Sequence, residues 1–185
     1  TLRAVLAREH RMLQSRQAED ETALRAAGEY ERVLARVGRW PLRDNGWSSL
    51  DEGLESVTRA GRKAMAEAED SGGAEAFHEW RKQVKYLRHQ FRLLRQVWPG
   101  VLDAMESTAD DLGEQLGADH DLAVLRERVE TGPVLPRATS EALLRRIDAR
   151  RADHQRKAMT LGHRLYAEKP SWLTHRLGRL WEAAA

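Results

Sequence analysis

The chain has 185 residues, no cysteine, and 31 Lys and Arg against 29 Asp and Glu, which leaves a formal net charge of +2. This length suffices for one domain, or two small ones, with a buried core. Zero cysteine excludes disulfide frameworks, thiolate zinc sites and cysteine nucleophiles, and it favours a reducing compartment, so we expect a cytoplasmic protein. The sequence contains no stretch of about 20 apolar residues, the length that spans a bilayer. The charged first thirty residues argue against a signal peptide.

Five prolines stand where apolar patterns stop, and they divide the sequence into helical blocks. The apolar spacing predicts helices over residues 1–37, 48–69, 74–98, 101–116, 121–130, 139–167 and 172–182. Gly117 is predicted to end the fourth helix and Asp121 to start the fifth, and Pro99-Gly100 is predicted to form a sharp corner. No stretch rich in Val, Ile and Thr alternates with period two, the pattern expected of a β-strand. The sequence therefore predicts an all-α fold, a bundle of long antiparallel helices.

The third predicted helix separates an apolar face from a cationic face. No acidic residue lies between Trp80 and Leu102. At about 100° per residue, the apolar arc contains Phe77, Trp80, Val84, Leu87, Phe91, Leu94 and Trp98. The adjacent cationic arc contains His78, Arg81, Lys82, Lys85, Arg88, His89, Arg92 and Arg95. Because helices usually interleave carboxylates among such cations, we interpret this arc as an anion-binding surface rather than a plain solvated face.

The segment after Pro99-Gly100 has the opposite charge. It carries no Lys or Arg between residues 103 and 125, and its acidic residues are Asp103, Glu106, Asp110, Asp111, Glu114, Asp119 and Asp121. If the corner makes an antiparallel hairpin, the numbers of facing residues sum to about 200. His78 and His120 should then meet at the open end of the hairpin.

Two glycines of this segment, Gly113 and Gly117, lie one helical turn apart. They are expected to let another helix approach closely. Some of the acidic side chains are also expected to pair with Arg88, Arg92 or Arg95, in surface ion pairs worth under about 1 kcal/mol each.

Two weaker basic clusters lie elsewhere in the sequence. One is a stripe on the sixth predicted helix, with Arg146, Arg150, Lys157 and Arg164. The other, in the second predicted helix, comprises Arg59, Arg62 and Lys63. For both clusters a solvated face and a binding role remain open.

Two motifs resemble those of the conserved histidine α-helical domain, the CHAD family. Residues 77–88 read FHEWRKQVKYLR and resemble the pattern H-x-x-R-K-x-x-K-x-L-R. Residues 112–125 read LGEQLGADHDLAVL and resemble the pattern L-G-x-x-L-G-x-x-H-D-L-x-V-L. The basic-helix motif of the family's first half has no clear match here. We therefore interpret residues 1–185 as a single, partial CHAD-like domain that corresponds to the later part of the family's domain.

The resemblance implies a helical domain with a basic groove that binds inorganic polyphosphate without catalysis or a cofactor. Carried over by position, its binding residues are His78, Arg81, Lys82, Lys85, Arg88 and His120. The remaining basic residues of the stripes add His89, Arg92, Arg59, Arg62, Lys63, Arg146, Arg150 and Lys157 as candidates. The family's usual setting implies polyphosphate-metabolising enzymes or granule proteins as partners, and a location at polyphosphate granules.

Two other interpretations of the same residues remain open, a metal site and a nucleic-acid-binding site. His78, His120, Asp119 and Asp121 could converge on a divalent ion, with or without phosphoester hydrolysis. A basic stripe also attracts nucleic acid, although this helix offers only Gln83, Gln90 and Gln96 as base readers.

No motif surrounds any of the serines, so no catalytic nucleophile is expected and the protein is predicted not to be an enzyme. An unpaired half-domain could expose apolar faces and form a homodimer, with the long first helix as the best candidate for the contact.

Overall fold

A computed structural model of the chain describes residues 22–40, 46–132 and 136–184. The α-helices in these ranges are α1 (Thr22–Val37), α2 (Asp51–Ser71), α3 (Ala74–Leu94), α4 (Pro99–Thr131), α5 (Arg137–Leu165) and α6 (Pro170–Ala184). Short 3-10 turns occupy Trp47–Ser49 and Arg95–Val97. No strand occurs in the described ranges, and the all-α prediction is confirmed.

The chain divides into two compact units, residues 1–43 and residues 44–185. In the first unit, the helix predicted over residues 1–37 is observed from Thr22 onward, and its residues 1–21 lie outside the described part. Arg32 forms an ion pair of 2.7 Å with Glu29 on this helix. The second unit contains α2 to α6. The single-domain interpretation stays a prediction.

Within the second unit, α3 packs against both α2 and α4, while α5 packs on α4 and α6 packs on α2. The apolar face predicted for α3 forms the centre of the core, with Trp80, Val84, Leu87 and Phe91 fully buried. This burial fixes the rotation of α3 about its axis, so the adjacent cationic face lies outside the core.

The helix α4 is one unbroken helix of 33 residues, and the prediction of two helices divided after Gly117 is wrong. Leu112, Leu116 and Asp119 are all buried at helical spacing, so the buried face continues past the glycine without a change of phase. Gly117 does not cap a helix, because α4 continues through it; the Arg81 side chain lies over this position. Asp121 lies in the helix interior rather than at an N-cap.

The corner between α3 and α4 also differs from the prediction. Pro99 and Gly100 are the first two residues of α4, where proline fits because the first helical N–H groups have no partner within the helix. The chain turns instead through Arg95–Val97 and Trp98. Since this turn leaves the phase of α3, Trp98 is 45% exposed and does not belong to the core face.

Gly162 allows α5 to pass close to the core tryptophan. A Cβ atom at this position would lie 2.5 Å from Cζ2 of Trp80 and 2.7 Å from Sδ of Met65. Because Trp80 is fully buried, Gly162→Ala is expected to lower the free energy of unfolding by about 1–3 kcal/mol through overpacking.

The matched control is Gly53→Ala, because a Cβ atom at Gly53 in α2 would meet nothing within 4 Å. This substitution is expected to raise the free energy of unfolding by about 0.5–1 kcal/mol, the usual gain from replacing a helical glycine by alanine. Denaturant unfolding measures both variants. Shifts of the same sign would contradict the assigned packing.

Candidate anion-binding groove between α3 and α4

The helices α3 and α4 form an antiparallel hairpin in the predicted register. The imidazole rings of His78 and His120 lie with their centroids 4.6 Å apart, and Arg95 Nε lies 2.8 Å from Asp103 Oδ1. The residue numbers of each pair add up to 198, close to the predicted 200. The prediction that the two histidines meet is confirmed.

A groove of about 470 Å³ runs between the two helices, starting one turn from the histidine pair. The α3 wall carries Arg81, Lys85 and Arg88. The α4 wall carries three carboxylates, those of Asp110, Glu114 and Asp121. The small or apolar residues that complete the lining are Val84, Ala109, Gly113, Gly117 and Ala118. The three cations on one wall and the three carboxylates on the other have formal charges that cancel. The predicted basic character of this groove therefore stays a prediction.

The two glycines of the lining do not serve the role predicted for them. A Cβ atom at Gly113 would meet nothing within 4 Å, and one at Gly117 would meet only the Arg81 guanidinium, at 3.5 Å from Nε. Among the described residues, no backbone of another helix lies within 4 Å of these two Cβ positions. The glycines instead leave open space along the groove and room for the Arg81 side chain.

Arg88 is the cation of the groove that is paired. Its Nη1 lies 2.8 Å from Asp110 Oδ1, and its Nε lies 4.0 Å from Glu106 Oε1. The predicted pairing of α4 carboxylates with α3 cations is thus observed for Arg88, and also for Arg95 with Asp103. These contacts across the hairpin tie the two helices together and leave Arg88 less available to a ligand.

Arg81 and Lys85 have no ion-pair or hydrogen-bond partner in the part of the chain that the structure describes. The Nε of Arg81 is buried without an acceptor. A buried donor without an acceptor costs about 1–3 kcal/mol, so a ligand oxygen that reached it would remove this cost. These two residues are the positively charged groups on the groove wall that remain free for an anion.

The outer edge of the cationic arc contains Lys82, His89 and Arg92, all exposed and outside the groove lining. Lys82 forms an ion pair with Glu79, one turn earlier on α3. The hydrogen bond from Lys82 is the main cause that lowers the pKa of Glu79, and the same bond raises the pKa of Lys82. Sequence reasoning treated Lys82 as uncompensated because Glu79 lies just outside the acid-free window.

The two weaker basic clusters do not line the groove. Each cation of the α2 cluster has a partner: Arg59 with Glu55, Lys63 with Glu67, and Arg62 with the backbone oxygen of Glu168. On α5, Lys157 lies 2.8 Å from Asp153, and their hydrogen bond lowers the pKa of Asp153. Arg146 and Arg150 are exposed. A binding role for either cluster stays a prediction.

Asp119 faces α5 rather than the groove. Arg151 Nε and Gln155 Nε2 each donate to its Oδ1 at 3.0 Å, and Arg151 Nη2 donates to its Oδ2 at 3.4 Å. Sequence reasoning missed this contact, although the spacing of Asp119 from Leu112 and Leu116 indicated a buried position.

The four residues of the alternative metal site therefore do not converge. Asp119 is engaged by Arg151 and Gln155 on the α5 side, whereas Asp121 lines the groove on the α3 side. Over residues 22–40, 46–132 and 136–184, no group of three or more histidine or carboxylate side chains is arranged to hold a metal ion. None of the helices in these ranges has the length and apolar content needed to cross a membrane.

These features define an all-α domain in which a cationic helix and an acidic helix form a hairpin with a charged groove and a histidine pair. The model of the CHAD domain family matches residues 1–130, more than two thirds of the chain, and the chain belongs to this family. Both motifs lie inside the match, while α5 and α6 follow it. No match was found among curated proteins or solved structures.

Proposed function

We propose that this chain binds inorganic polyphosphate, without chemical turnover, through the cationic face of α3 and the α3–α4 groove. Membership of the CHAD family supports this choice of ligand. The observation that carries it is the row of Arg81, Lys85 and Arg92, for which no carboxylate partner lies among the described residues. Six residues on the adjacent apolar face of α3 are buried in the core, so this row stands on a rigid support.

The chemistry of the row suits a linear polyanion. Polyphosphate carries about one negative charge per phosphate and has no bases, so a protein can bind it with cations spaced along a helix. Successive turns present such side chains about every 5–6 Å. Arg81 can bind phosphate oxygens bidentately, while Lys85, one turn further along the same groove wall, acts as a point charge.

One observation favours nucleic acid as a second candidate ligand. Tyr86 lies beside Lys82 and Lys85 on α3 and is 53% exposed, so it could stack on a base. Base reading by glutamine has less support: Gln83 Nε2 donates to Glu79 at 3.2 Å, and Gln90 Nε2 donates to the Gly53 backbone oxygen at 3.3 Å.

Competition between long-chain polyphosphate and single-stranded DNA, at equal phosphate concentration, tests the proposal against this alternative. We expect polyphosphate to displace labelled DNA at about one tenth of the concentration that DNA needs, because its charges are more closely spaced. Tyr86→Leu should leave polyphosphate binding unchanged. Equal competition by DNA, together with weaker DNA binding of Tyr86→Leu, would instead favour the nucleic-acid function.

The histidine pair predicts a pH dependence of binding. His78 and His120 lie one turn from the groove, next to Arg81 and Asp121. Histidine is the side chain that most readily changes charge in the physiological pH range, whereas the internal phosphates of a long chain stay ionised there. Because protonation adds positive charge beside a polyanion, we expect affinity to rise about 3- to 10-fold from pH 8 to pH 6.

Equilibrium binding at constant ionic strength measures this dependence. His78→Gln/His120→Gln should bind with nearly the same affinity at both pH values. The control is His163→Gln/His175→Gln, which removes two exposed histidines outside the groove and should keep the wild-type rise. A flat profile in the wild type would reject a titrating role for the pair.

The wider setting belongs to the same proposal. The cysteine-free sequence suits a reducing cytoplasm, where we expect this binding to occur at polyphosphate granules or beside polyphosphate-metabolising enzymes. Co-sedimentation of the protein with isolated granules, and its loss after granules are digested with a polyphosphatase, would support that setting. A homodimer is also proposed, and a molar mass in solution of twice that of the chain would support it.

A further inference from the structure

Arg88 lies between two free cations of α3. It comes three residues after Lys85 and four residues before Arg92, and neither of these has a carboxylate partner among the described residues. Along the helix axis the two free cations are about 10 Å apart. A polyanion that binds both of them passes Arg88, and both Arg88 and its ion-pair partner Asp110 line the groove.

We propose that Asp110 is an internal competitor of the ligand: it holds Arg88 in the free protein, and a phosphate group displaces it in the complex. This inference rests on the proposed function. It makes Arg88 a third groove cation that becomes available only when a polyanion binds at the neighbouring cations. In the free protein, a carboxylate of the groove's own α4 wall occupies this position.

The two contacts of Arg88 differ in how readily a ligand can replace them. Its Nη1 lies 2.8 Å from Oδ1 of Asp110, whose side chain is 44% exposed. Its Nε lies 4.0 Å from Oε1 of Glu106, whose side chain is 20% exposed. Asp110 can turn to water when it leaves, so no unpaired charge is left buried. Glu106 can keep its longer contact, so we expect phosphate to replace Asp110 alone.

The strengths of the competing contacts favour the exchange. An exposed ion pair changes an equilibrium constant by at most about fivefold, whereas a charge-assisted hydrogen bond to phosphate can contribute about tenfold or more. A chain already bound at Arg81 and Lys85 also presents its next phosphate to Arg88 at a high effective concentration. The exchange is therefore expected to be favourable for a bound chain, and much less so for a free phosphate ion.

A double-mutant cycle of Arg88→Gln and Asp110→Asn tests the exchange, with long-chain polyphosphate as the ligand at low, constant salt. Asp110→Asn should bind about 3- to 10-fold more tightly than the wild type, because it removes the competitor and leaves Arg88 free. Arg88→Gln should weaken wild-type binding only about threefold, since there the exchange costs an ion pair. In the Asp110→Asn background the same change should weaken binding about 10-fold or more, because no pair has to be broken.

The matched control is Glu114→Gln, which removes the same charge from the same wall of the groove. Glu114 holds no cation by an ion pair in the ranges that the structure describes, so its removal relieves repulsion without freeing an arginine. It should tighten binding about twofold. In this background Arg88→Gln should again cost about threefold, as in the wild type.

Three results would overturn the inference. If Arg88→Gln weakens binding by the same factor in all three backgrounds, Asp110 does not control Arg88, and the inference fails while the proposed function stands. If Asp110→Asn binds no more tightly than Glu114→Gln, the carboxylate repels the ligand without competing for the arginine, and the inference again fails. If the wild type shows no binding, the proposed function fails and the inference fails with it.

Discussion

Asp119→Ala is expected to lower the free energy of unfolding by about 3–5 kcal/mol, the loss usually seen when one partner of a buried ion pair is removed. The Asp119 side chain is 2% exposed and that of Arg151 is 14% exposed. The substitution leaves the Arg151 guanidinium with little access to water and also removes the acceptor of Gln155. At about 2–4 °C per kcal/mol for a chain of this size, the melting temperature should fall by about 6–20 °C.

The matched control is Asp148→Ala, at the same α4–α5 interface. Arg126 Nε donates to Asp148 Oδ1 at 3.0 Å, the same distance as in the buried pair, but the Asp148 side chain is 52% exposed. Because exposed pairs are worth about 0–1 kcal/mol, this variant should lose less than 1 kcal/mol. Equal losses in the two variants would show that burial does not set the strength of these contacts.

A second variant separates the missing charge from the missing shape. Asp119→Leu/Arg151→Met replaces the pair by apolar side chains of similar size, and such replacements of buried pairs are often neutral or stabilising. We expect it to recover most of the stability that Asp119→Ala loses. Failure to recover would mean that Asp119 stabilises the protein mainly through Gln155 and not through the ion pair.

Arg81→Gln/Lys85→Gln is expected to weaken polyphosphate binding about 10- to 100-fold at low salt, which corresponds to about 1.4–2.7 kcal/mol. These are the two groove cations without a carboxylate partner in the described ranges, so their charge is fully available to the ligand. A hydrogen bond to a charged group contributes about 1.5–3 kcal/mol at best. Because Lys85 is exposed to solvent, its contribution is expected to be smaller than this.

The control removes the same charge elsewhere. Arg137→Gln/Arg156→Gln changes two exposed arginines of α5 that already pair with Glu141 and Asp153, and it should bind polyphosphate within about twofold of the wild type. Denaturant unfolding of the groove variant is expected to show a stability equal to or above that of the wild type, because no ion pair is lost and the buried Arg81 Nε–H without an acceptor is removed. An equal loss of binding in both variants would mean that net charge, and not the groove, governs affinity.

The fold could be predicted from the sequence where the apolar residues of a helix lie on one face at regular helical spacing. The six residues predicted for the apolar face of α3 between Phe77 and Leu94 follow the helical period, and all six are buried. The division of α4 was predicted wrongly because a glycine followed by an aspartate resembles a helix end in the local sequence. Burial of Leu112, Leu116 and Asp119 on one face keeps the helix continuous through Gly117, and the partners of this face come from other helices.

The contacts of the site that follow from the register of the α3–α4 hairpin could be predicted from the sequence, and the contacts with α5 could not. Counting from the corner brought His78 opposite His120, and the same count brings the acidic residues of α4 alongside the cations of α3. The Asp119–Arg151 pair joins residues 32 positions apart, and no local pattern specifies which of several arginines on α5 turns inward. The pairing of Lys82 with Glu79 was missed because Glu79 lies just outside the acid-free window, although its i,i+3 spacing from Lys82 could have indicated it.

The most direct test of the central claim is the salt dependence of polyphosphate affinity in the absence of divalent ions. By analogy with single-stranded nucleic acid, the logarithm of the affinity should fall with the logarithm of salt by about 0.7 per phosphate neutralised. We expect a steep slope for the wild type, and a slope shallower by about 1.4 for Arg81→Gln/Lys85→Gln, which loses two such contacts. A variant slope equal to that of the wild type, or no measurable binding by the wild type, would contradict this claim.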